Sequence, residues 1–395
     1  MSHPSESPAG RRRFLQSSAA GLLLLKPETV FGTQASSALE VGIVGCGGRG
    51  NWIAPFFLEF GARVVALADP FRDRLESTQQ KLKVDASRLY AGLDGYQALA
   101  ASKLDAVAIE SPPYFHPEQV EAAVAAGKHV YLAKPVAVDV PGCLSIAASG
   151  KKAEGRLSFL ADFQTRAQPV FQEAAQRVHS GQIGTPVMGH VFYHTGRLRR
   201  QDKPGMSADE ARLRNWTFDK ALSGDVIVEQ HIHVLDVANW YLQAHPVRAC
   251  GTGGRKARVD VGDCWDHFVV TYWYPNDVRV DFSSAQFIQG FHDMCIRFYG
   301  TAGTVDSHYG GAVRITGDNP WTGAEKDDTF RQGALHNVRN FLESIRTGKH
   351  LNNAAQGAES TLTSILGRMT GYRERPVTWE EMMKSGERFQ VKLSL

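Results

Sequence analysis

The sequence has few cysteines and no marked excess of charge of either sign. Its 395 residues include five cysteines, none in a C-x-x-C pair, which argues against a zinc site or a disulfide framework and for small buried apolar side chains. Lysine and arginine number 44 and aspartate and glutamate 41, a formal net charge of +3. No basic stripe interleaves with aromatic residues, so we expect no nucleic-acid partner, and we predict no bound metal.

Residues 1–37 differ from the rest of the chain and resemble a twin-arginine export signal. After a polar start, "RRRFLQ" leads into "SSAAGLLLL", an apolar stretch too short to span a membrane. The export pattern R-R-x-F-L is matched by Arg11, Arg12, Phe14 and Leu15. The alternative is a disordered basic tail. The segment predicts the twin-arginine translocase as a partner and a periplasmic or exported location, membrane-tethered if cleavage after Ala35 or Ala38 does not occur.

Residues 38–160 predict a dinucleotide-binding domain of the Rossmann type. Short apolar strands alternate with helical stretches, which indicates a doubly wound parallel sheet with helices on both faces, an α/β architecture. The predicted strands lie at 39–44, 63–68, 106–111, 129–133 and 157–161.

Residues 161–395 predict a second, α+β domain for substrate binding and oligomerisation. After a helix near 167–180, long β-rich segments joined by tight turns indicate a large open, mostly antiparallel sheet. Helices are expected to pack on this sheet near 226–243, 332–347 and 355–371.

A glycine-rich loop follows the first predicted strand. In "GCGGRG", Gly45, Gly47 and Gly50 satisfy G-x-G-x-x-G, a spacing that lets backbone amides approach a pyrophosphate at a helix N-terminus. Asp69 ends the second strand, where an acid accepts bonds from ribose hydroxyls and repels a 2′-phosphate, so NAD is favoured over NADP. The alternative is a structural glycine turn. The predicted cofactor-binding set also includes Gly48, Arg49, Ser111, His116 and Lys134.

Lys134 stands out at the end of a predicted buried strand. It follows the apolar run of "HVYLAKPVA", and the next residue, Pro135, restrains it to an extended conformation. Ligands of doubly wound sheets bind outside the carboxyl ends of the strands, so Lys134 is placed where a substrate meets the cofactor. The alternative is a lysine that reaches solvent from a strand end.

A second polar group lies in an otherwise apolar predicted helix, 223–242. At 100° per residue, Glu229, His233 and Asp236 fall within roughly 60° of one another, whereas His231 points nearly the opposite way. Two carboxylates and an imidazole on one stripe form a plausible acid/base set. A metal site and a purely structural polar network are the alternatives.

Together these features resemble the Gfo/Idh/MocA family of NAD(P)-dependent oxidoreductases from Leu39 to the end of the chain. The resemblance rests on "GCGGRG", "ALADP", "GKHVYLAKP", "GQIG" and the glutamate–histidine helix. It implies that Lys134 is the lysine of the E-K-P motif and His233 the histidine of the D-x-x-x-H helix. Two positions depart from the family pattern: Ala133 replaces the usual glutamate, and Glu229 the usual aspartate.

The expected reaction is NAD-dependent oxidation of a carbohydrate or polyol hydroxyl. We expect His233 to act as the acid/base, oriented by Glu229 or Asp236, with Lys134 polarising the oxygen. The candidate substrate contacts are Tyr193, Arg197, Arg214 and Trp216. The resemblance also implies a homodimer or homotetramer that forms through the exposed face of the second sheet.

Export adds a constraint, because no free NAD pool exists outside the cytoplasm. The enzyme is therefore expected to hold its cofactor tightly and to regenerate it in each cycle. Two alternatives stay open: a redox-assisted glycoside hydrolase or lyase that works through a transient 3-keto sugar, and a non-catalytic NAD-binding protein.

Overall fold

The computed structural model describes residues 38–326 and 328–395, so the predicted export segment lies outside the described part of the chain. A first sheet has the strand order β3-β2-β1-β4-β5-β6, and all its neighbouring strands are parallel. Its strands are β1 Glu40–Val44, β2 Arg63–Asp69, β3 Leu89–Ala91, β4 Ala106–Ile109, β5 His129–Ala133 and β6 Phe159–Asp162. The doubly wound parallel sheet predicted from the alternation is confirmed.

The helices of the first half follow these strands in turn. They are α1 Gly48–Glu59, α2 Arg72–Leu82, α3 Gly95–Ala101, α4 His116–Ala125 and α5 Val140–Ala153. Strands β1, β4 and β5 are almost entirely buried, as expected for a parallel sheet covered on both faces. The three-residue strand β3 was not among the predicted strands, because so short and half-buried a segment carries little periodicity.

A second sheet has nine strands in the order β14-β13-β12-β11-β7-β10-β9-β8-β15, and β7 pairs with β10 in parallel within an otherwise antiparallel sheet. Its strands are β7 Pro186–Thr195, β8 Arg248–Gly254, β9 His267–Trp273, β10 Arg279–Gln286, β11 Asp293–Gly300, β12 Gly303–His308, β13 Val313–Gly317, β14 Trp321–Ala324 and β15 Val377–Thr378. Along β9, Phe268, Val270 and Tyr272 are buried, whereas Val269 is 56% exposed. One face of the sheet therefore carries a core, and the mostly antiparallel prediction is confirmed.

The remaining helices connect and cover this second sheet. They are α6 Pro169–His179, α7 Ala208–Arg214, α8 Lys220–Ser223, α9 Val226–Glu229, α10 Ile232–Leu242, α11 Thr329–Thr347, α12 Ala354–Arg373 and α13 Trp379–Lys384. Four of the five cysteines are buried and all five are free thiols, as the composition predicted. No helix within residues 38–326 and 328–395 is long and apolar enough to cross a membrane.

Helix α11 packs elsewhere than expected. It was predicted to lie on the second sheet, but its Val338 and Phe341 belong to the buried cluster that includes Val41, Phe57 and Tyr131 of the first sheet and α1. The prediction was wrong because an amphipathic helix signals only that it has an apolar face and not which sheet covers that face. The segment 161–395 therefore supplies a helix to the first sheet.

The turn between β1 and α1 is packed on one side and open on the other. Gly45 has φ +97°, and a Cβ there would lie 2.7 Å from the Glu110 carbonyl. A Cβ on Gly50 would lie 1.9 Å from the carbonyl oxygen of Gly45, whereas one on Gly48 would meet nothing within 4 Å. The third glycine of the motif is thus required for the packing of helix on strand, and the Gly48 side faces open space.

We expect Gly50→Ala to destabilise the fold by about 1–3 kcal/mol, because the added methyl overlaps a backbone oxygen that cannot rotate away. Gly48→Ala, at the first residue of the same helix, is the matched control. We expect it to leave stability unchanged or to raise it slightly. Urea unfolding followed by circular dichroism measures both. Equal midpoints for the two variants would contradict the packing role of Gly50.

Candidate active site

A cavity of about 340 Å³ opens against the glycine loop. Its lining includes Gly45, Gly47, Gly48 and Arg49 of the loop and Asp69 at the end of β2. No side chain of residues 38–326 or 328–395 caps the N-terminus of α1, and no acid lies in its first turn. Its first amides and the helix dipole are therefore available to an anion. This arrangement suits a diphosphate.

Asp69 is held in place by two backbone amides. Its carboxylate accepts hydrogen bonds from the Cys46 and Phe71 amides, each at 2.8 Å. Burial raises the pKa of Asp69, while the Phe71 amide, the Arg74 guanidinium and the Cys46 amide oppose the shift. An acid fixed beside the cavity can accept ribose hydroxyls, and together with the uncapped helix it makes these residues fit a nicotinamide dinucleotide.

Two of the predicted substrate contacts lie in this dinucleotide cavity instead. Arg214 and Trp216 line it, and the Arg214 guanidinium lies 2.7 Å from Asp73 and 4.0 Å above the ring of Phe71. Arg214 ends α7, and Trp216 lies in the turn after it. The local sequence pattern does not indicate where this part of the chain packs relative to the first sheet. The structure therefore places Arg214 and Trp216 on the wall of this cavity, and their role as substrate contacts stays a prediction.

The other two predicted substrate contacts separate. Arg197 forms an ion pair with Asp260, 2.6 Å apart, and both side chains are exposed. Tyr193 is buried on β7, with its ring 5.0 Å from that of His231 and 6.5 Å from that of His233. Of the four predicted residues, Tyr193 is the one that the structure places beside the acid/base residues.

Lys134 follows β5 and reaches Glu229, the last residue of α9. Its Nζ donates a hydrogen bond to the Glu229 carbonyl at 2.5 Å and lies 3.8 Å from the Glu229 carboxylate. The side chain is 17% exposed. Burial lowers the pKa of Lys134, and the Arg49 guanidinium lowers it further, whereas the Glu229 carboxylate opposes this. A lysine in this setting exchanges a proton more readily near neutral pH than a free one.

His233 lies in the first turn of α10 and is 6% exposed. Burial, followed by the charge of Lys134, holds the pKa of His233 well below its usual range, so the imidazole is neutral. Its Nδ1 is buried and has no hydrogen-bond partner among the described residues. The ring of Tyr309 lies 5.2 Å away. Sequence reasoning missed Tyr309, because it follows β12 in a turn with no motif.

The predicted single helix over 226–243 is broken, and this separates the acid/base stripe. The helix stops at Glu229 and restarts at Ile232, with Gln230 and His231 between the two segments. Glu229 faces Lys134, whereas Asp236 accepts hydrogen bonds from Arg166 at 3.0 Å and from Ser360 at 2.6 Å. The structure therefore brings Lys134, Glu229 and His233 together and places Asp236 in a separate ion pair.

Ser111 and His116 occupy different positions near the loop after β4. Ser111 lines the cavity. The His116 ring lies between two carbonyl oxygens, those of Ser111 and Pro135, each 2.9 Å from a ring nitrogen. Burial lowers the pKa of His116 to about 4, so the ring is neutral and one of its nitrogens donates a hydrogen bond. His116 therefore joins the loop after β4 to the loop after β5, and it does not line the cavity.

A buried cluster of charges adjoins the cavity. The Arg49 guanidinium pairs with Asp162 at the end of β6, and its Nε lies 3.5 Å from Glu110, which follows β4. Sequence reasoning assigned Arg49 to the cofactor but missed both acids. The signal was available, since each acid stands at the carboxyl end of a predicted parallel strand.

A second cluster lies on the outer face of the second sheet. The ligand atoms of Cys295, Asp306 and His308 lie within 4.8 Å of one another. Two arginines, Arg297 and Arg314, contact the Asp306 carboxylate at 2.8 and 3.1 Å. The Asp306 contacts, followed by that with Cys295, raise the pKa of His308 to about 11. Protonated histidine and two guanidinium groups already balance the acids, which gives an ion-pair network.

Comparisons with known proteins match this architecture. Residues 39–160 match the model of the oxidoreductase family with an NAD-binding Rossmann fold, and residues 171–306 match that of the GFO/IDH/MocA C-terminal domain. Inositol 2-dehydrogenase of Serratia proteamaculans is 29% identical over 246 residues, 62% of this chain and 66% of that protein. scyllo-Inositol 2-dehydrogenase (NAD(+)) of Bacillus subtilis is 25% identical over 297 residues, 73% of this chain and 80% of that protein.

Solved structures share the fold. Aldose-aldose oxidoreductase from Caulobacter crescentus superposes with a TM-score of 0.71 at 20% identity, covering 87% of this chain and 100% of that chain. scyllo-Inositol dehydrogenase from Lactobacillus casei, with bound NAD(H) and scyllo-inositol, gives 0.69 at 19% identity over 87% and 100%. The two family models together span more than half of the chain. The chain therefore belongs to the Gfo/Idh/MocA family and is an NAD-dependent oxidoreductase.

Proposed function

We propose that this enzyme oxidises a secondary hydroxyl of a polyol or a cyclic carbohydrate. The observation that carries the proposal is the neutral imidazole of His233 beside the partly desolvated ammonium of Lys134, next to a cavity that suits a dinucleotide. The inositol dehydrogenases among the relatives support a polyol over the glycosidase and non-catalytic alternatives.

The two residues divide the proton chemistry. NAD, held by the glycine loop and Asp69, supplies the hydride acceptor. Lys134 donates a hydrogen bond to the substrate oxygen and so stabilises the negative charge that develops on it. His233, neutral because it is buried, accepts the hydroxyl proton at a ring nitrogen. Glu229 stabilises the charge of Lys134 and orients its ammonium.

The polar atoms around these residues favour a ligand with several hydroxyls. Nδ1 of His233 and Oε2 of Glu229 are both buried without a hydrogen-bond partner among the described residues. Buried polar groups normally have partners, and an unmet one costs about 1–3 kcal/mol. Hydroxyls can both donate and accept, so a polyol can satisfy a carboxylate and an imidazole together.

We expect Lys134→Ala and His233→Ala to lower kcat with a polyol substrate by about 100-fold or more, the usual contribution of a positioned acid/base group. The sequence also predicted Lys134 as a cofactor contact, but neither Lys134 nor His233 lines the cavity, so we expect both variants to retain NAD binding. Initial rates of reduced-nicotinamide formation with a panel of inositols, pyranoses and aryl glycosides measure the effect.

Lys152→Ala is the matched control, because that lysine is exposed on α5 and its one ion pair within the described part of the chain is with the exposed Glu121. It should turn over like the wild type. Unchanged kcat in either active-site variant would reject the assignment. Aglycone release without net nicotinamide reduction would favour the glycosidase alternative.

For residues 1–37 we propose an export signal of the twin-arginine type, supported by the pair Arg11 and Arg12 before an apolar stretch. This route carries folded proteins, so NAD is loaded before export, held tightly and recycled within each catalytic cycle. In fractionated cells that express the full chain, we expect wild-type protein in the periplasm. The Arg11→Lys/Arg12→Lys variant should remain in the cytoplasm. Identical distributions of the two proteins would refute the signal.

We also propose that a second copy of this chain covers the outer face of the second sheet. A water-facing sheet surface is normally polar, yet this one carries apolar side chains at Met188, Phe192, Val269 and Trp273. We expect sedimentation velocity to give a dimer or tetramer for the wild type and a smaller species for Val269→Glu. A monomeric wild type at micromolar concentration would refute this.

A further inference from the structure

Three neighbouring parallel strands present corresponding positions at their carboxyl ends. Ile109 of β4 pairs with Leu132 of β5, so Glu110 comes level with Ala133, and Ala133 itself pairs with Asp162 of β6. Each of the three follows by two residues a member of the buried cluster between the first sheet and α1. Because side chains alternate along a strand, Glu110, Ala133 and Asp162 all face α1.

Arg49 of α1 spans the two acids across the middle strand. Its guanidinium pairs with Asp162, and its Nε lies 3.5 Å from Glu110. Neighbouring strands lie about 4.8 Å apart, so a group that contacts the ends of β4 and β6 must pass over β5. The alanine methyl at 133 leaves room for this, whereas a glutamate there would compete for the same space. Ala133 and the Arg49 bridge therefore belong together.

Glu110 has acceptor capacity that the protein does not use. Its side chain is 0% exposed, it lines the dinucleotide cavity, and neither carboxylate oxygen has a hydrogen-bond partner among the described residues. Arg49 approaches one carboxylate oxygen at 3.5 Å, an ion-pair contact at the limit of hydrogen-bond distance. Buried carboxylates normally accept hydrogen bonds, so an orphaned one beside a cavity indicates a ligand with hydroxyl donors.

Two charged groups act on Glu110, Arg49 from α1 and Asp162 from β6. Tyr131 of β5 also lies near it, and burial keeps this phenol neutral by raising its pKa. Burial raises the pKa of Glu110 to about 8, and Arg49 opposes this shift. Between its ordinary value of 4.5 and about 8, the folded protein therefore holds a proton that the unfolded chain does not. A cation placed beside the carboxyl would displace that proton.

We propose that Glu110 is a cofactor-binding carboxylate that replaces, from β4, the glutamate absent at position 133 of β5. It accepts a hydrogen bond from a ribose hydroxyl at the nicotinamide end of NAD, and its charge favours the oxidised, cationic form of the ring. Arg49 pairs with both Glu110 and Asp162 and so holds the Glu110 carboxylate in place. This inference rests on the proposed function for its reaction, but it is tested by binding alone.

The first test compares equilibrium affinities of Glu110→Gln and wild type for oxidised and reduced cofactor by isothermal titration calorimetry. A hydrogen bond to a charged group is worth about 1.5–3 kcal/mol, so we expect NAD+ to bind roughly 10- to 100-fold more weakly to the variant. The variant should lose less affinity for NADH, because the reduced nicotinamide ring is neutral. Glu118→Gln, an exposed acid on α4 that lies off the cavity wall, is the control and should bind like the wild type. Equal NAD+ affinity in Glu110→Gln overturns the proposal.

The second test moves the carboxylate back. Glu110→Ala should weaken NAD+ binding, and the double variant Glu110→Ala/Ala133→Glu should recover most of the lost affinity. A double variant that binds no more tightly than Glu110→Ala overturns the claim that the two positions are equivalent. Turnover plays no part in this comparison, so a failed substrate assignment and a failed cofactor contact are distinguished.

The third test uses pH and removes misfolding as an explanation. Because the folded protein binds the extra proton, wild-type stability should fall relative to Glu110→Gln as pH rises from about 5 to about 8, measured without cofactor. Near pH 8, Glu110→Gln should therefore be at least as stable as the wild type. NAD+ affinity of the wild type should rise on the order of tenfold between about pH 6 and pH 8, and that of the variant should not. Parallel pH profiles for the two proteins overturn the proposal.

Discussion

The active site depends on one requirement, that a lysine ammonium taken out of water must be paired. Lys134 follows a strand of the first sheet, and its partners, the carbonyl and carboxylate of Glu229, belong to the last residue of α9. Removing one member of such a pair leaves an uncompensated buried charge. The contact therefore fixes the relation between the dinucleotide cavity and the helix that carries His233.

The same requirement explains the break between α9 and α10. A continuous helix would hold the Glu229 carbonyl in its own hydrogen-bond ladder, whereas the stop at Glu229 leaves that carbonyl free to accept from Lys134. The restart at Ile232 then places His233 in a first helical turn, where the burial and charge of its surroundings keep it neutral. Two adjoining helices thus supply the partner of Lys134, Glu229, and the proposed proton acceptor, His233.

Much of this site follows from local pattern. Strand alternation predicted both sheets, because burial of one or both faces leaves a periodicity that needs no knowledge of distant partners. The glycine loop and Asp69 were found for the same reason, since their spacing reflects the turn itself. Local pattern did not indicate that Arg214 and Trp216 line the cavity beside the glycine loop, because a short helix on a long connection can reach either end of the site.

Ala133, where the family has a glutamate, separates what the sequence determines from what the tertiary structure decides. The sequence by itself determined that alanine stands at 133 where the resembled family has a glutamate, and that Lys134 ends a buried strand. It did not single out Glu110 and Asp162 at the ends of the neighbouring strands. Only the tertiary structure decided that Arg49 crosses β5 between those acids, that α11 covers the first sheet, and that Asp236 pairs with Arg166. Residue order dictates periodicity and turn chemistry through interactions a few residues apart. Which buried charges meet depends on the register of strands and on helices distant along the chain, and that is settled only when the whole core packs.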